Sequence, residues 1–166
     1  MSAHIILINK AGLIFLTQRR DVPLWVIPGG HINKGESSKM AVLRELYEET
    51  GIKIRDAKLI AKYYDKNGKV KKNLYSGKFL GNISIKESDE VRDAKWFNCR
   101  QLPWPITLYE RNKINDFLIF NDKIITRLDS INSKLELLNQ LKNPLIFFWL
   151  LLNLIKNQLT TRTFKF

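Results

Sequence analysis

The chain has 166 residues, and its 28 Lys and Arg against 16 Asp and Glu give a formal net charge of +12. This length fits one domain with a buried core and an extension. Cys99 is the single cysteine, which excludes an intramolecular disulfide and favours a reducing compartment. The N-terminal residues lack the basic start and long apolar run of a secretory signal, so we expect a cytoplasmic protein.

Short apolar runs predict the strands of a sheet, which in chain order are 4–8, 13–18, 58–64, 74–80 and 94–98. A first helix is predicted from Ser37 or Ser38 to Gly51, because serine caps helix starts and glycine accepts the left-handed conformation that often ends them. A second helix is predicted over 108–120. This combination of strands and helices predicts an α/β fold with a mixed sheet between helices.

Residues 121–166 are predicted to form a helical, apolar C-terminal extension to a domain of residues 1–120. Apolar residues recur every three or four positions over 124–141, which predicts an amphipathic helix of about five turns. Asn143-Pro144 is typical of a helix start, and the apolar stretch 145–155 is too short to span a bilayer. We favour packing on a second copy or on the domain. Peripheral membrane contact and a poorly ordered extension are the alternatives.

Acidic residues are unevenly placed in this basic chain. Four of the 16 carboxylates lie between Gly30 and Ile52, at Glu36, Glu45, Glu48 and Glu49. Like charges repel when they are close, unless a cation lies among them, and a divalent cation is the usual partner. This cluster therefore indicates a metal site.

Helical geometry places Arg44, Glu45, Glu48 and Glu49 within roughly 140° of arc, at about 100° per residue. The preceding Pro28-Gly29-Gly30 predicts a turn that exposes bare backbone carbonyls close to the helix. The alternative is an ordinary solvated helix face, in which Arg44 and Glu48 form an i,i+4 pair.

The spacing of these residues resembles the complete signature of the Nudix hydrolases. Gly30 is followed after five residues by Glu36, and after seven more by Arg44-Glu45-Leu46-x-Glu48-Glu49-x-Gly51-Ile52. The resemblance covers residues 24–52 directly, and the flanking strand pattern extends it to about residue 120. It implies a Nudix-like α/β/α sandwich and hydrolysis of a nucleoside diphosphate linked to another moiety.

The resemblance also implies a cofactor, Mg²⁺ or Mn²⁺, and a role for each signature residue. Glu48 and Glu49 would be the main metal ligands, together with the backbone carbonyl of Gly29. Glu45 would be a further ligand or the catalytic group that orients and deprotonates water. Oxygen ligands of this kind suit magnesium, and magnesium suits phosphates.

The remaining signature residues would act on the structure of the site. By the same resemblance, Arg44 would hold Glu45 through a charge-assisted bond, and Glu36 would brace the loop against the helix. Gly30 and Gly51 would complete the structural part of the motif.

A further acid from a later loop is expected in this family as a ligand or base. We prefer Glu90 to Glu87 and Asp89, although a mixed-charge surface loop would contain the same residues without any function.

Substrate contacts are predicted from residue chemistry alone. Arg19 and Arg20 end the second strand just before the glycine turn and could reach phosphates, or they could be solvated strand-end charges. Trp104, or Tyr63 or Tyr64, is a candidate platform for a base, although such aromatic residues more often belong to the core.

The predicted function is cleavage of a small nucleotide, such as a nucleoside triphosphate, a damaged nucleotide, a nucleotide sugar or ADP-ribose. A non-catalytic protein that senses a nucleotide or an RNA end is one alternative, and an RNA 5′-pyrophosphohydrolase is another. Over 53–78, nine Lys and Arg against two Asp could attract RNA. Because they are scattered along the predicted strands, we favour a solvated face instead.

Overall fold

The computed structural model describes residues 1–81, 90–129, 148 and 151–152 of the chain. Its strands are β1 (Ser2–Ile8), β2 (Ile14–Arg19), β3 (Trp25–Val26), β4 (Gly29–His31), β5 (Lys58–Tyr64), β6 (Val70–Lys78), β7 (Val91–Phe97) and β8 (Ile125–Leu128). Its named helices are α1 (Ser38–Thr50) and α2 (Leu108–Ile119).

These strands form one mixed sheet with the order β3-β2-β1-β6-β5-β8. Strand β4 pairs with β1 and strand β7 pairs with β2, both outside this path. The pairs β1–β6 and β5–β8 are parallel, and the other pairs are antiparallel. This arrangement confirms the predicted mixed sheet.

Alternate residues of β1 point to opposite faces of the sheet, as the pleat requires. Ala3, Ile5 and Leu7 share a core with the buried side of α1, whereas Ile6 shares the opposite core with Ile114 of α2. The two helices therefore cover opposite faces, which confirms the predicted α/β/α sandwich.

Helix α1 begins and ends where the sequence predicts. The Ser37 hydroxyl accepts a hydrogen bond from the Met40 N–H at 3.2 Å, which satisfies one of the free donors of the first turn. Gly51 has φ +73° and donates its N–H to the Tyr47 carbonyl at 2.8 Å. This left-handed end fixes the orientation of the acidic face of α1.

The prediction of a helix from residue 124 is wrong for its first residues. Ile125–Leu128 is a strand that pairs in parallel with Ala61–Tyr64 of β5, because the free edge of β5 offers backbone partners that a helix would not use. The sheet therefore continues past residue 120, where we predicted the domain to end. Most of the predicted C-terminal helices lies outside the described residues, and no helix within the described part is long and apolar enough to cross a membrane.

Candidate active site

The glycine turn lies on the edge of β1. Gly29 and Gly30 belong to β4 and pair with His4 and Ala3. Gly29 has φ +142°, and a Cβ at this position would lie 2.2 Å from the carbonyl oxygen of Ala3. A Cβ on Gly30 would lie 2.5 Å from the carboxyl carbon of Glu45. Both positions therefore require glycine, the first for the backbone and the second for the carboxylate.

Arg44 binds several acidic groups of the signature at once. Its guanidinium contacts both oxygens of Glu36, at 2.9 and 3.1 Å. The Nη1 atom donates to Glu45 at 3.0 Å and to Glu48 at 2.8 Å, and Nη2 donates to the His31 carbonyl at 3.0 Å. One side chain thus connects α1, the loop before it and strand β4.

The charges in this network shift one another's protonation. The hydrogen bonds from Arg44, and then the one from the Asn33 N–H at 3.0 Å, hold the pKa of Glu36 below its usual value. The same contact with Glu36 raises the pKa of Arg44. Glu36 is therefore anionic and Arg44 cationic at neutral pH.

Glu49 contacts the backbone of the glycine turn directly. Its Oε2 accepts a hydrogen bond from the Gly29 N–H at 3.3 Å. Burial, together with the negative charges of Glu45 and Glu90, raises the pKa of Glu49 to about 8, although the Gly29 hydrogen bond and the charge of Arg19 oppose this rise. Two carboxylates, Glu45 and Glu49, thus flank the Gly29–Gly30 backbone.

Arg19, Arg20 and Glu90 lie at the neighbouring end of β2. The Arg19 side chain is exposed and bonds Asp21, with its Nε at 2.8 Å, and the charges of Glu49 and Glu90 help to raise its pKa. The Arg20 N–H donates to the Glu90 carbonyl at 2.9 Å. The structure therefore brings Arg19 and Glu90 into the electrostatic environment of Glu49, while Glu87 and Asp89 lie outside the described residues.

The aromatic candidates differ in exposure. Trp104 is 56% exposed, and the next residue, Pro105, accepts the Trp25 N–H at 3.0 Å. Tyr63 is buried, and its hydroxyl donates to Asp116 at 2.8 Å, so it belongs to the core. Tyr64 is half-buried at the end of β5. Trp104 is thus the most exposed of the three candidates.

Sequence reasoning missed a contact from α2 to the turn. Glu110 accepts the Ile27 N–H through Oε2 at 3.0 Å, and its Oε1 lies 2.6 Å from Nζ of Lys113. Both side chains are buried. In the sequence, a Glu and a Lys three residues apart on a helix are typical of an exposed ion pair. The spacing therefore favours a solvated position, whereas the structure buries both side chains.

The oxygen-rich donor set suits a hard divalent cation. Among the described residues, however, no three His, Cys, Asp or Glu side chains are arranged to hold a metal ion, and Arg44 binds both Glu45 and Glu48. The residues still fit a cation, because the half-buried Glu49 carboxylate lies near the negative charges of Glu45 and Glu90 and charges grouped in this way favour a neutralising ion.

Two helices lie around a mixed sheet, and the acidic face of one helix lies against a glycine turn. These features define an α/β sandwich protein with a carboxylate-rich site. The sequence profile of the NUDIX domain matches residues 1–117, and the chain belongs to this family. Family membership and the relatives described next show that it is a Nudix-type pyrophosphohydrolase. Nudix hydrolases generally use divalent metals.

Relatives of this chain include hydrolases of different nucleotides. A putative 8-oxo-dGTP diphosphatase of Bacillus subtilis is 33% identical over 115 residues, which is 69% of this chain and 77% of that protein. An RNA pyrophosphohydrolase of Cereibacter sphaeroides is 39% identical over 105 residues, which is 59% of each protein. The chain thus spans less than two thirds of the RNA pyrophosphohydrolase.

Solved structures show the same fold. The MutT protein from Methanosarcina mazei Go1 has a TM-score of 0.62 and 23% identity, with coverage of 74% of this chain and 94% of that one. An ADP-ribose pyrophosphatase from Streptococcus suis has a TM-score of 0.60 and 21% identity, with coverage of 77% and 97%. At these identities the similarity establishes the fold.

Proposed function

We propose that this hydrolase cleaves the pyrophosphate linkage of a small nucleotide with Mg²⁺ or Mn²⁺ bound by Glu45, Glu48, Glu49 and the Gly29 carbonyl. The observation that carries this proposal is the position of two carboxylates against a bare glycine backbone. The carboxyl carbon of Glu45 lies 2.5 Å from the position that a Cβ on Gly30 would take, and Glu49 accepts a hydrogen bond from the Gly29 N–H. When bound, the cation would neutralise phosphate charge and acidify water.

The residues of the chain have distinct roles in this proposal. Arg44 holds Glu45 and Glu48 at fixed positions on α1, which reduces the cost of bringing their charges together. Glu45 orients the attacking water and accepts its proton. Glu36 fixes Arg44 from the loop, so that the guanidinium keeps its orientation.

Substrate recognition is proposed for Arg19, Arg20 and Trp104. The Arg19 guanidinium is exposed and can exchange its contact with Asp21 for a phosphate. Trp104 offers an exposed ring on which a base can stack. Glu90 completes the acidic group as a further ligand or base, an assignment supported by its effect on the pKa of Glu49.

A nucleoside triphosphate is the substrate class that we favour, since the 8-oxo-dGTP diphosphatase relative is matched over most of its length. An RNA 5′ end is a second candidate. It is supported by the 39% identity to an RNA pyrophosphohydrolase and by the exposed lysines at the tip of the β5–β6 hairpin, Lys66 and Lys69.

The test is a hydrolysis assay with Mg²⁺ on nucleoside triphosphates, dinucleoside polyphosphates, ADP-ribose and 5′-triphosphorylated RNA. We expect turnover of a nucleoside triphosphate, and a loss of at least about 100-fold in Glu49→Gln, because a metal ligand loses its charge. Asp56→Asn is the matched control, since Asp56 is an exposed carboxylate that pairs with Lys39. Equal activity of Glu49→Gln and the parent would refute the ligand assignment, and preference for RNA would select the second candidate.

A further inference from the structure

The start of α2 departs from the usual behaviour of its sequence. Thr107 caps the helix by accepting the Glu110 N–H at 3.2 Å. In a Thr-x-x-Glu capping box, the glutamate carboxylate normally returns to the backbone N–H of the cap residue. Here the two carboxylate oxygens are directed to Ile27 and Lys113 instead. The side chain of Glu110 therefore acts between elements rather than within its own helix.

The residue that Glu110 binds directly precedes the glycine turn. The Ile27 N–H donates to Glu110 from α2 at 3.0 Å. The Pro28 carbonyl accepts the Ile5 N–H from β1 at 2.9 Å, and the Gly29 N–H donates to Glu49 from α1 at 3.3 Å. Three successive residues are thus fixed by three different elements, and Glu110 is the contribution of α2.

A second bond places the same strand against the region of α2. The Trp25 N–H donates to the Pro105 carbonyl at 3.0 Å, two residues before the Thr107 cap. In an extended chain, the N–H groups of residues i and i+2 point to the same side. The N–H groups of Trp25 and Ile27 therefore both point towards α2 and the segment before it. A shift of α2 would consequently move the backbone that leads into Gly29.

The contact is buried, and Glu110 is paired with a cation. Glu110 is 5% exposed and Lys113 is 1% exposed, and the Lys113 ammonium lies 4.4 Å from the centre of the Tyr109 ring. Replacing a buried ion pair by apolar residues is often neutral or stabilising, so such a pair is weak evidence for a role in stability alone. The hydrogen bond that Glu110 accepts from the Ile27 N–H instead fixes the position of the Ile27 backbone relative to α2.

We propose that Glu110, neutralised by Lys113, is a positioning residue that sets the Ile27–Gly29 backbone against Glu49 and thereby the affinity of the site for its divalent cation. The inference rests on the proposed function, because the Gly29 carbonyl is a ligand there. It adds α2, which carries none of the signature residues, to the determinants of metal binding.

The test compares two double variants that both lack the buried charges. In E110Q/K113M the amide oxygen can still accept the Ile27 N–H, whereas in E110M/K113M no acceptor remains. The side chains are otherwise close in size. Amide hydrogen exchange of Ile27 is measured in the metal-free proteins, and Mn²⁺ affinity is measured by titration calorimetry. Steady-state hydrolysis is followed over a range of Mg²⁺ concentrations.

We expect E110Q/K113M to retain slow Ile27 exchange and to bind Mn²⁺ within about twofold of the parent. E110M/K113M should exchange Ile27 faster and bind Mn²⁺ about tenfold more weakly, as expected for one lost hydrogen bond at a ligand backbone. Its kcat at saturating Mg²⁺ should remain near that of the parent. A residue with a structural role alone would change the melting temperature without this shift in metal dependence.

Equal Mn²⁺ affinity in the two double variants would overturn the inference while leaving the proposed function intact. Fast Ile27 exchange in the parent protein would also overturn it, and this measurement needs no variant to fold. Failure of the proposed function is distinguishable, because it would appear as absence of hydrolysis in the parent, with Ile27 exchange still dependent on Glu110.

Discussion

Arg44 shows at the level of one residue why two interpretations of the sequence were compatible. It forms the ordinary i,i+4 pair with Glu48, and through its other nitrogens it binds Glu36, Glu45 and the His31 carbonyl. A guanidinium can do both because it has five donors in a planar fork. The pair with Glu48 is therefore part of the network and does not compete with it.

Alanine substitutions at Gly29 and Gly30 are expected to have different effects, one mainly on stability and the other mainly on turnover. In Gly30→Ala the new methyl group meets the flexible carboxylate of Glu45, so we expect folding to be retained and turnover to fall about 10- to 100-fold. In Gly29→Ala the new methyl group meets the backbone of Ala3, and the residue must adopt the φ of +142° that Gly29 has. The protein should therefore lose about 3 kcal/mol of stability or more. Urea unfolding and a hydrolysis assay on both variants measure the contrast. Equal effects of the two substitutions on stability would contradict it.

Glu36 is expected to contribute to acid sensitivity. Because Arg44 lowers the pKa of Glu36 in the folded protein below the ordinary value of 4.5, its pairing stabilises the fold fully above pH 4.5. That contribution is lost as pH falls through the lower folded pKa. The urea midpoint of the parent should therefore fall more steeply than that of Glu36→Gln between about pH 5 and pH 3. Parallel curves would refute this assignment.

At the scale of elements, the sequence predicted what is encoded locally. The caps Ser37 and Gly51 determine α1, and their chemistry is sufficient to locate its ends. Strand β5 was predicted with its observed bounds, whereas β6 begins four residues before the predicted 74–80, because its first part is lysine-rich and lacks an apolar signal. Strands β3, β4 and β8 were missed, since two to four residues acquire their structure from neighbouring strands rather than from periodicity.

Asp116 joins three elements and should couple them energetically. Its carboxylate on α2 accepts the Tyr63 hydroxyl of β5 at 2.8 Å and Arg127 of β8 at 2.6 Å, while the residue is 1% exposed. Asp116→Ala should cost about 2–3 kcal/mol, because a buried hydroxyl loses its acceptor. Tyr63→Phe should recover part of that loss in a double-mutant cycle. Asp56→Ala is the exposed control, because Asp56 pairs with Lys39 at the surface, and strict additivity of the two core substitutions would contradict the coupling.

At the scale of the whole molecule, the site depends on contacts that no local pattern contains. The resemblance predicted roles for Arg44, Glu45 and Glu49, because their spacing is a property of one helix. Glu110 could not be found in the same way, since its partner Ile27 is 83 residues distant in sequence. The environment of Lys113 was equally hidden, because an i,i+3 pair has the same sequence whether it is solvated or buried.

The C-terminal extension is expected to mediate self-association. Phe148, Leu151 and Leu152 are 61%, 40% and 63% exposed, and large exposed apolar side chains are typical of interaction surfaces. A chain that ends at Asp129 should keep the hydrolytic activity and sediment as a monomer, whereas the full chain should sediment as a dimer. A chain that ends at Phe120 is the matched control for stability, because it also loses β8 and the Asp116–Arg127 contact and should melt at a lower temperature. A monomeric full chain that binds anionic vesicles, while the shorter chain does not, would instead establish the membrane-surface alternative.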